Sequence, residues 1–221
     1  MAGRDQTDDW PLPTLDRVSA FSDGVFAIAI TLLILPLTEA QVRDGHVVED
    51  LLALQHQFLA LFLSFAVIGG FWLLHHDDLR ALTGASRRML VANLVFLFFV
   101  VLLPFPTALL GDGDSAAATI IYALSIMATS VSSLALWWTA ERDGLVDGER
   151  GRRWGRDKYW GTAAVVIAFL PSLPLALVAP GWARVSWALA FPLGILADKI
   201  EERRRDQDGS SRRSRRSTTA Q

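Results

Sequence analysis

The chain has no cysteine, which excludes disulfides and thiolate metal sites. Charge is missing from the middle of every long apolar run, so nothing sits at the depth where transporters place coupling carboxylates. No glycine-rich nucleotide loop, nucleophile elbow or zinc-ligand spacing occurs. The best cluster of metal-ligating residue types is His75-His76-Asp77-Asp78, but adjacent helical residues point in different directions and no second cluster completes it. An intramembrane enzyme is therefore the weakest class. No cleavable signal peptide is expected, because the first thirteen residues are polar and acid-rich and no small-residue cleavage site follows the first apolar run. That run is expected to persist as a helix.

What is abundant is apolar residue in blocks. Hydrophobic residues make up 52% of 221, with a mean hydropathy of +0.32, high for a water-exposed fold. Runs close to the roughly 20 residues that cross a bilayer fall at 18–37, 51–74, 89–110, 116–140, 159–179 and 182–198. The expectation is an all-α membrane protein of six transmembrane helices.

The net charge of -2 says little, but its distribution gives the topology. All 21 Lys and Arg except Arg43 and Arg184 fall before the first apolar run, in the second and fourth connections or after the sixth run. The positive-inside rule then puts both termini in the cytoplasm, which requires an even number of spans. The chain divides into a flexible cytoplasmic lead at 1–14, a six-helix domain at 15–200 and a disordered basic tail at 201–221. The tail reads as a solvated topological anchor, with anionic lipid as its candidate partner.

Pro36 lies near the outer end of the first span, and Leu103-Pro104-Phe105-Pro106-Thr107 should bend or end the third. The fourth span carries Ser125, Ala128, Thr129, Ser132 and Ser133, small and hydroxyl residues that permit close packing and interhelical hydrogen bonds. The connection from Glu141 to Lys158 alternates charge and glycine and is expected to be solvated, with Trp137, Trp138, Trp154 and Trp160 flanking it as an aromatic belt.

The first span is the most unusual. Arg17, Ser22 and Asp23 stand at the mouth of a long apolar helix, an expensive placement in lipid. At 100° per residue and with Ile28 at zero, Phe21, Gly24, Val25, Thr31, Leu32 and Leu35 fall within about 60° of it, whereas Ser22 and Asp23 fall about 120–140° away. One face carries a narrow stripe and another carries the polar pair. A buried carboxylate needs a partner. Arg17, Trp72, His75, His76 and Asn93 are candidates for a polar lock that ties together the inner ends of three helices. The stripe by itself suits lipid contact, helix packing or, with several copies around an axis, stacked apolar rings over about 10 Å from Ile28 to Leu35.

Arg17 with Phe21-Ser22-Asp23, Trp72-x-x-His75-His76, Asn93 and Leu103-Pro104-Phe105-Pro106-Thr107-x-Leu-x-Gly111 together resemble the bacterial TMEM175-type potassium channels in order and spacing. The resemblance implies a potassium-selective cation channel, a homotetramer in a bacterial plasma membrane, with the first helix of each subunit lining the pore. It implies a constriction at Ile28, further apolar rings at Leu32 and Leu35, an influence of Thr31 on ion preference, and a bracing role for the motif residues Arg17, Phe21, Ser22 and Asp23. Potassium is the permeant ion; no cofactor and no nucleic-acid partner are implied. The acidic lead and basic tail lie outside the pattern, and no second six-span copy is present.

A carbonyl-lined filter would need Thr-Val-Gly-Tyr-Gly, which does not occur, and the arginines at 150–156 lie in a hydrophilic stretch rather than along an apolar voltage-sensing helix. A channel built here selects by other means, moderately and without steep voltage dependence. The alternative is a secondary transporter of a cation or small solute with helices broken at Pro104, Pro106, Pro171 and Pro174.

Overall fold

The computed structural model describes residues 12–113, 115–184 and 187. Among them the regular structure is helical: α1 Leu15–Leu32, α2 Leu35–Thr38, α3 Val47–Ala53, α4 Gln55–Arg80, α5 Arg87–Leu102, α6 Pro104–Gly111, α7 Ala116–Arg142, α8 Gly148–Phe169 and α9 Ser172–Val178. Five stretches are long and apolar enough to cross a membrane: Leu15–Thr38, Gln55–Arg80, Arg87–Gly111, Ala116–Arg142 and Gly151–Val178. The protein is an all-α, multi-pass membrane protein. Of the expected sixth span only 182–184 and 187 are described; the rest of it, the tail and most of the lead lie outside the described residues.

Three spans are divided, each at proline. Pro36 has no N–H to give the Leu32 carbonyl, and the chain tightens ahead of it, with Leu33 N donating to Ile30 O and Ile34 N to Thr31 O. Pro104 removes the donor for Val100 O, which accepts instead from Leu103 N at 3.1 Å. Pro171 separates α8 from α9 in the same way. Starts are set by caps: Ser86 accepts from Met89 N at the head of α5 and Ser115 from Ala118 N at the head of α7.

α1 packs on α4 and α5, α5 on α7, α4 on α6, and α7 on α8 and α9. The core between them holds Phe26, Ile68, Phe96, Val100, Tyr122, Leu136 and Trp137. α7 is the central packing helix, although most of its hydroxyls bond within the helix: Ser125 to Ile121 O, Thr129 to Ser125 O, Ser132 to Thr129 O and Thr139 to Ala135 O. Ser133, which accepts from Lys158, and Thr119, which accepts from Arg184, reach other elements. The expected interhelical hydrogen bonding of α7 is thus limited, because the backbone carbonyl three or four residues back is always within reach of a helical hydroxyl.

The connection from Glu141 to Lys158 is not the solvated loop that its composition suggests. Helix begins at Gly148, and Gly151 and Gly155 press against their neighbours. A Cβ on Gly155 would come within 2.5 Å of Trp137 Nε1 and 2.6 Å of Glu141 Oε1, so Gly155 serves close packing of α8 on α7, while Gly151 fits against Val146 and Ala81 of the two connections. The connections after α4 and after α7 are joined as well. Thr83 N donates to Leu145 O at 2.8 Å and Asp147 N to Ala81 O at 3.0 Å, around a single antiparallel bridge between Leu82 and Val146. Of the four tryptophans expected in a belt, Trp138 and Trp160 are exposed, whereas Trp137 is buried and Trp154 turns inward to donate to Asp78.

Candidate functional site

α1 presents two unlike faces. Val18, Ser22, Phe26, Ala29 and Leu33 are buried against α4 and α5, at the three- and four-residue spacing of one helix side. Away from them Phe21, Gly24, Ile28, Thr31, Leu32 and Leu35 are exposed, Ile28 at 61%. All six belong to the stripe of the angular reading; its seventh member, Val25, is half-buried, and Ala20, Ala27 and Ile34, outside the stripe, are exposed as well. Thr31 donates its hydroxyl proton to Ile28 O at 2.8 Å, which leaves the oxygen's lone pairs turned off the helix.

The polar side of α1 makes two contacts between helices. Trp72 Nε1 donates to Asp23 Oδ1 at 2.8 Å, bridging α4 to α1. Asn93 Nδ2 donates to Ser22 Oγ at 3.3 Å, bridging α5 to α1, and Ser22 Oγ donates to Val18 O at 2.9 Å. Ser22 and Asn93 are buried, while Asp23 is half-buried and Trp72 more exposed.

The other candidates for the lock lie elsewhere. His75 is 1% exposed, with its ring 5.1 Å from Phe96 and 5.9 Å from Phe26, and neither ring nitrogen has a hydrogen-bond partner among the described residues. His76 stacks on Trp72 at 6.0 Å, as a residue four positions along the same helix side should. Arg17 is exposed with no side-chain partner among the described residues. Six residues of helix carry Asp23 about 9 Å along the axis and about 120° around from Arg17, which puts the carboxylate beyond easy reach within one chain. Phe21 is exposed too, and with Pro13, Arg17, Val18, Leu90, Asn93 and Leu94 it lines a groove of about 440 Å³ between α1 and α5.

Sequence reasoning missed a second polar centre. Asp78, on the last turns of α4, is buried in an ion pair with Lys158 of α8. Trp154 Nε1 donates to Asp78 Oδ1 at 2.8 Å, and Lys158 Nζ also donates to Ser133 Oγ of α7 at 2.9 Å. Asp78 stands in the His-His-Asp-Asp run considered as a metal site, and among the described residues no metal-holding cluster is found. The signal available beforehand was the lone lysine of the inner connections. A third cluster lies in the core between α4, α6 and α7, where Ser64 Oγ sits 3.0 Å from Tyr122 Oη and 2.8 Å from Thr107 Oγ1.

A sequence model of the family described as "Endosomal/lysosomal potassium channel TMEM175" matches residues 17–104, the stretch that contains the stripe and its lock. A potassium channel of Streptomyces collinus is 36% identical over 180 residues, which cover 75% of this chain and 87% of that protein. The chain belongs to the TMEM175 family. A crystal structure of a lysosomal potassium-selective TMEM175 homologue from Chamaesiphon minutus superposes with a TM-score of 0.66 at 30% identity, covering 81% of this chain and 96% of the other. The endosomal/lysosomal proton channel TMEM175 of Danio rerio is 39% identical over 139 residues, 57% of this chain and only 27% of that longer protein. Of the residues that carry the resemblance, Ser22 and Asp23 lie on the hydrogen-bonded side of α1 and Arg17 and Phe21 on its exposed side.

Proposed function

We propose that this TMEM175 member is a potassium channel of a bacterial plasma membrane, with both termini cytoplasmic and four copies of α1 converging around one axis. The observation that carries the reading is the exposed stripe Ile28, Thr31, Leu32 and Leu35 on a helix whose opposite face is packed and hydrogen-bonded. Lipid alone would also accept such a stripe. Its occurrence within the segment that matches the family, in a chain similar to named potassium channels, favours the axis.

In that arrangement Ile28, Leu32 and Leu35 form three apolar rings over about 10 Å. An ion entering them must shed water with no charged group to compensate, so the energetic barrier is set by dehydration and by whether the passage is wetted. Potassium holds its hydration shell less tightly than sodium and loses less. The Thr31 oxygens, facing outward from a proton already given to Ile28 O, offer partial replacement for the lost waters. Selection by ring width and dehydration is moderate. The basic stretch at 150–156 contributes no charge within an apolar span, so conduction is leak-like rather than voltage-gated.

The Ser22–Asn93 and Asp23–Trp72 contacts hold α1 at a fixed rotation on α4 and α5, which keeps the stripe on the axis. Reconstituted vesicles loaded with potassium, sodium or caesium test the proposal. The expected result is passive flux of potassium in excess of sodium down either gradient; flux that requires a second ion moving in exchange assigns the protein to the transporters instead.

A further inference from the structure

The face of α8 turned away from the bundle is ordered by polarity along its length. Gly151, Trp154, Gly155 and Lys158 face the neighbouring helices and are buried or half-buried. On the other side Arg152, Arg153 and Arg156 are exposed, followed by Trp160 at 73% exposure, then Ile167 at 69% and Leu170. At 100° per residue Arg152, Arg153, Trp160, Ile167 and Leu170 all lie within about 60° of Arg156, so they form one stripe that passes from cationic to aromatic to aliphatic. Among the described residues none of the three arginines makes an ion pair or hydrogen bond. Trp138 and Arg142, at the inner end of α7, repeat the theme with the guanidinium 4.0 Å above the indole.

We propose that this outward face of α8 binds the headgroups of anionic phospholipids in the cytoplasmic leaflet. The spacing fits the layers of a bilayer. Trp160 marks the headgroup boundary, as exposed tryptophans do. Arg156 lies about 6 Å beyond it and Arg152 about 12 Å beyond, within reach of phosphate once their long side chains bend back along the helix. Ile167 and Leu170 lie on the acyl side. Glu149 shares the stripe but stands farthest from the membrane, and Asp157, one residue nearer the membrane than Arg156, is turned about 100° away from it, so within the stripe the cations are the charges closest to the lipid. Guanidinium groups favour phosphate because their paired N–H donors match two of its oxygens. This surface belongs to α8 alone and is distinct from the α1 stripe.

The test uses the full-length protein in neutral detergent and follows its melting temperature on addition of phosphatidylglycerol or phosphatidylcholine. Phosphatidylglycerol is expected to raise it more. The triple variant R152Q/R153Q/R156Q is expected to lose at least half of that difference while melting like the parent in phosphatidylcholine. Triple Arg→Lys substitution, which keeps charge without the paired donors, should retain part of it. Should the triple Gln variant not be recovered, R156Q alone is to lose more of the difference than R153Q or R152Q. The proposal is overturned if the Gln variant keeps the full difference, if the single variants lose none of it, or if the difference disappears only when the tail arginines after Lys199 are replaced. It is also overturned if the triple Gln variant changes oligomeric state in phosphatidylcholine, which would make the face a contact between copies.

Discussion

Two carboxylates near one end of the bundle are held in opposite ways. Asp78 is sealed among α4, α7 and α8 with a lysine, and an indole donates to it. Asp23 is half-buried and accepts from one indole, Trp72, itself partly exposed. The peripheral centre is complete within one chain. The centre behind the α1 stripe is more open, and it borders the groove that holds Arg17 and Phe21. The difference teaches that the outer helices fold as a self-sufficient frame, while α1 is braced on one side and left open on the face where other copies are proposed to meet.

Breaking the sealed centre should cost most. Lys158→Met leaves Asp78 buried without its counter-charge and is expected to destabilise the subunit by about 3–5 kcal/mol, seen as a large drop in melting temperature or yield. Replacing both members, Asp78→Leu with Lys158→Met, should recover most of the loss, because an apolar pair of similar volume removes the uncompensated charge. A double variant as unstable as the single one would mean that the two residues are not energetically coupled.

Asp23→Ala is the matching experiment on the open centre. It removes one hydrogen bond to a charged group, roughly 1.5 kcal/mol at the low end for such bonds, and should lower oligomer yield or open probability while each subunit stays folded. Trp72→Phe should reproduce it. If Asp23→Ala instead unfolds the subunit as Lys158→Met does, the contrast between the two centres is lost.

Substitutions on the stripe should barely affect subunit stability. Ile28→Asn is expected to wet the constriction and weaken potassium preference in bi-ionic recordings, with the oligomer intact. Thr31→Ala should lower that preference by less, and an equal loss of conductance for all cations would contradict a role in selection. Smallest of all is Arg43→Ala. Arg43 grips Asp50 with paired hydrogen bonds and holds its carboxyl below the usual aspartate range, yet the guanidine side chain is 69% exposed. Solvent screens such a pair, so loss of Arg43 should leave the melting temperature unchanged.

The helical class, the proline breaks and the division of α1 into two faces were legible because each follows from local chemistry: apolar length, a missing N–H, and 100° per residue. The same arithmetic, applied to Arg17 and Asp23, would have separated them. His75 was expected among the polar partners of Asp23, but its ring is enclosed by Phe26 and Phe96, which only the packing of three helices decides. The Asp78–Lys158 pair joins residues 80 positions apart across elements whose order gives no hint of contact. The Glu141 to Lys158 connection misled for a related reason: its glycines read as loop, yet Gly155 admits the neighbouring α7 and Gly151 the side chain of Val146.

The absence of cysteine from the chain makes one measurement decisive for the central claim that Ile28 faces a shared axis. Ile28→Cys places a single thiol in each copy. With Ile28 on the axis, a cationic thiol reagent stops potassium flux through the reconstituted variant, and mild oxidation links copies through that residue. Full modification of Cys at this position with undiminished flux and no cross-link would place the stripe against lipid and contradict the account.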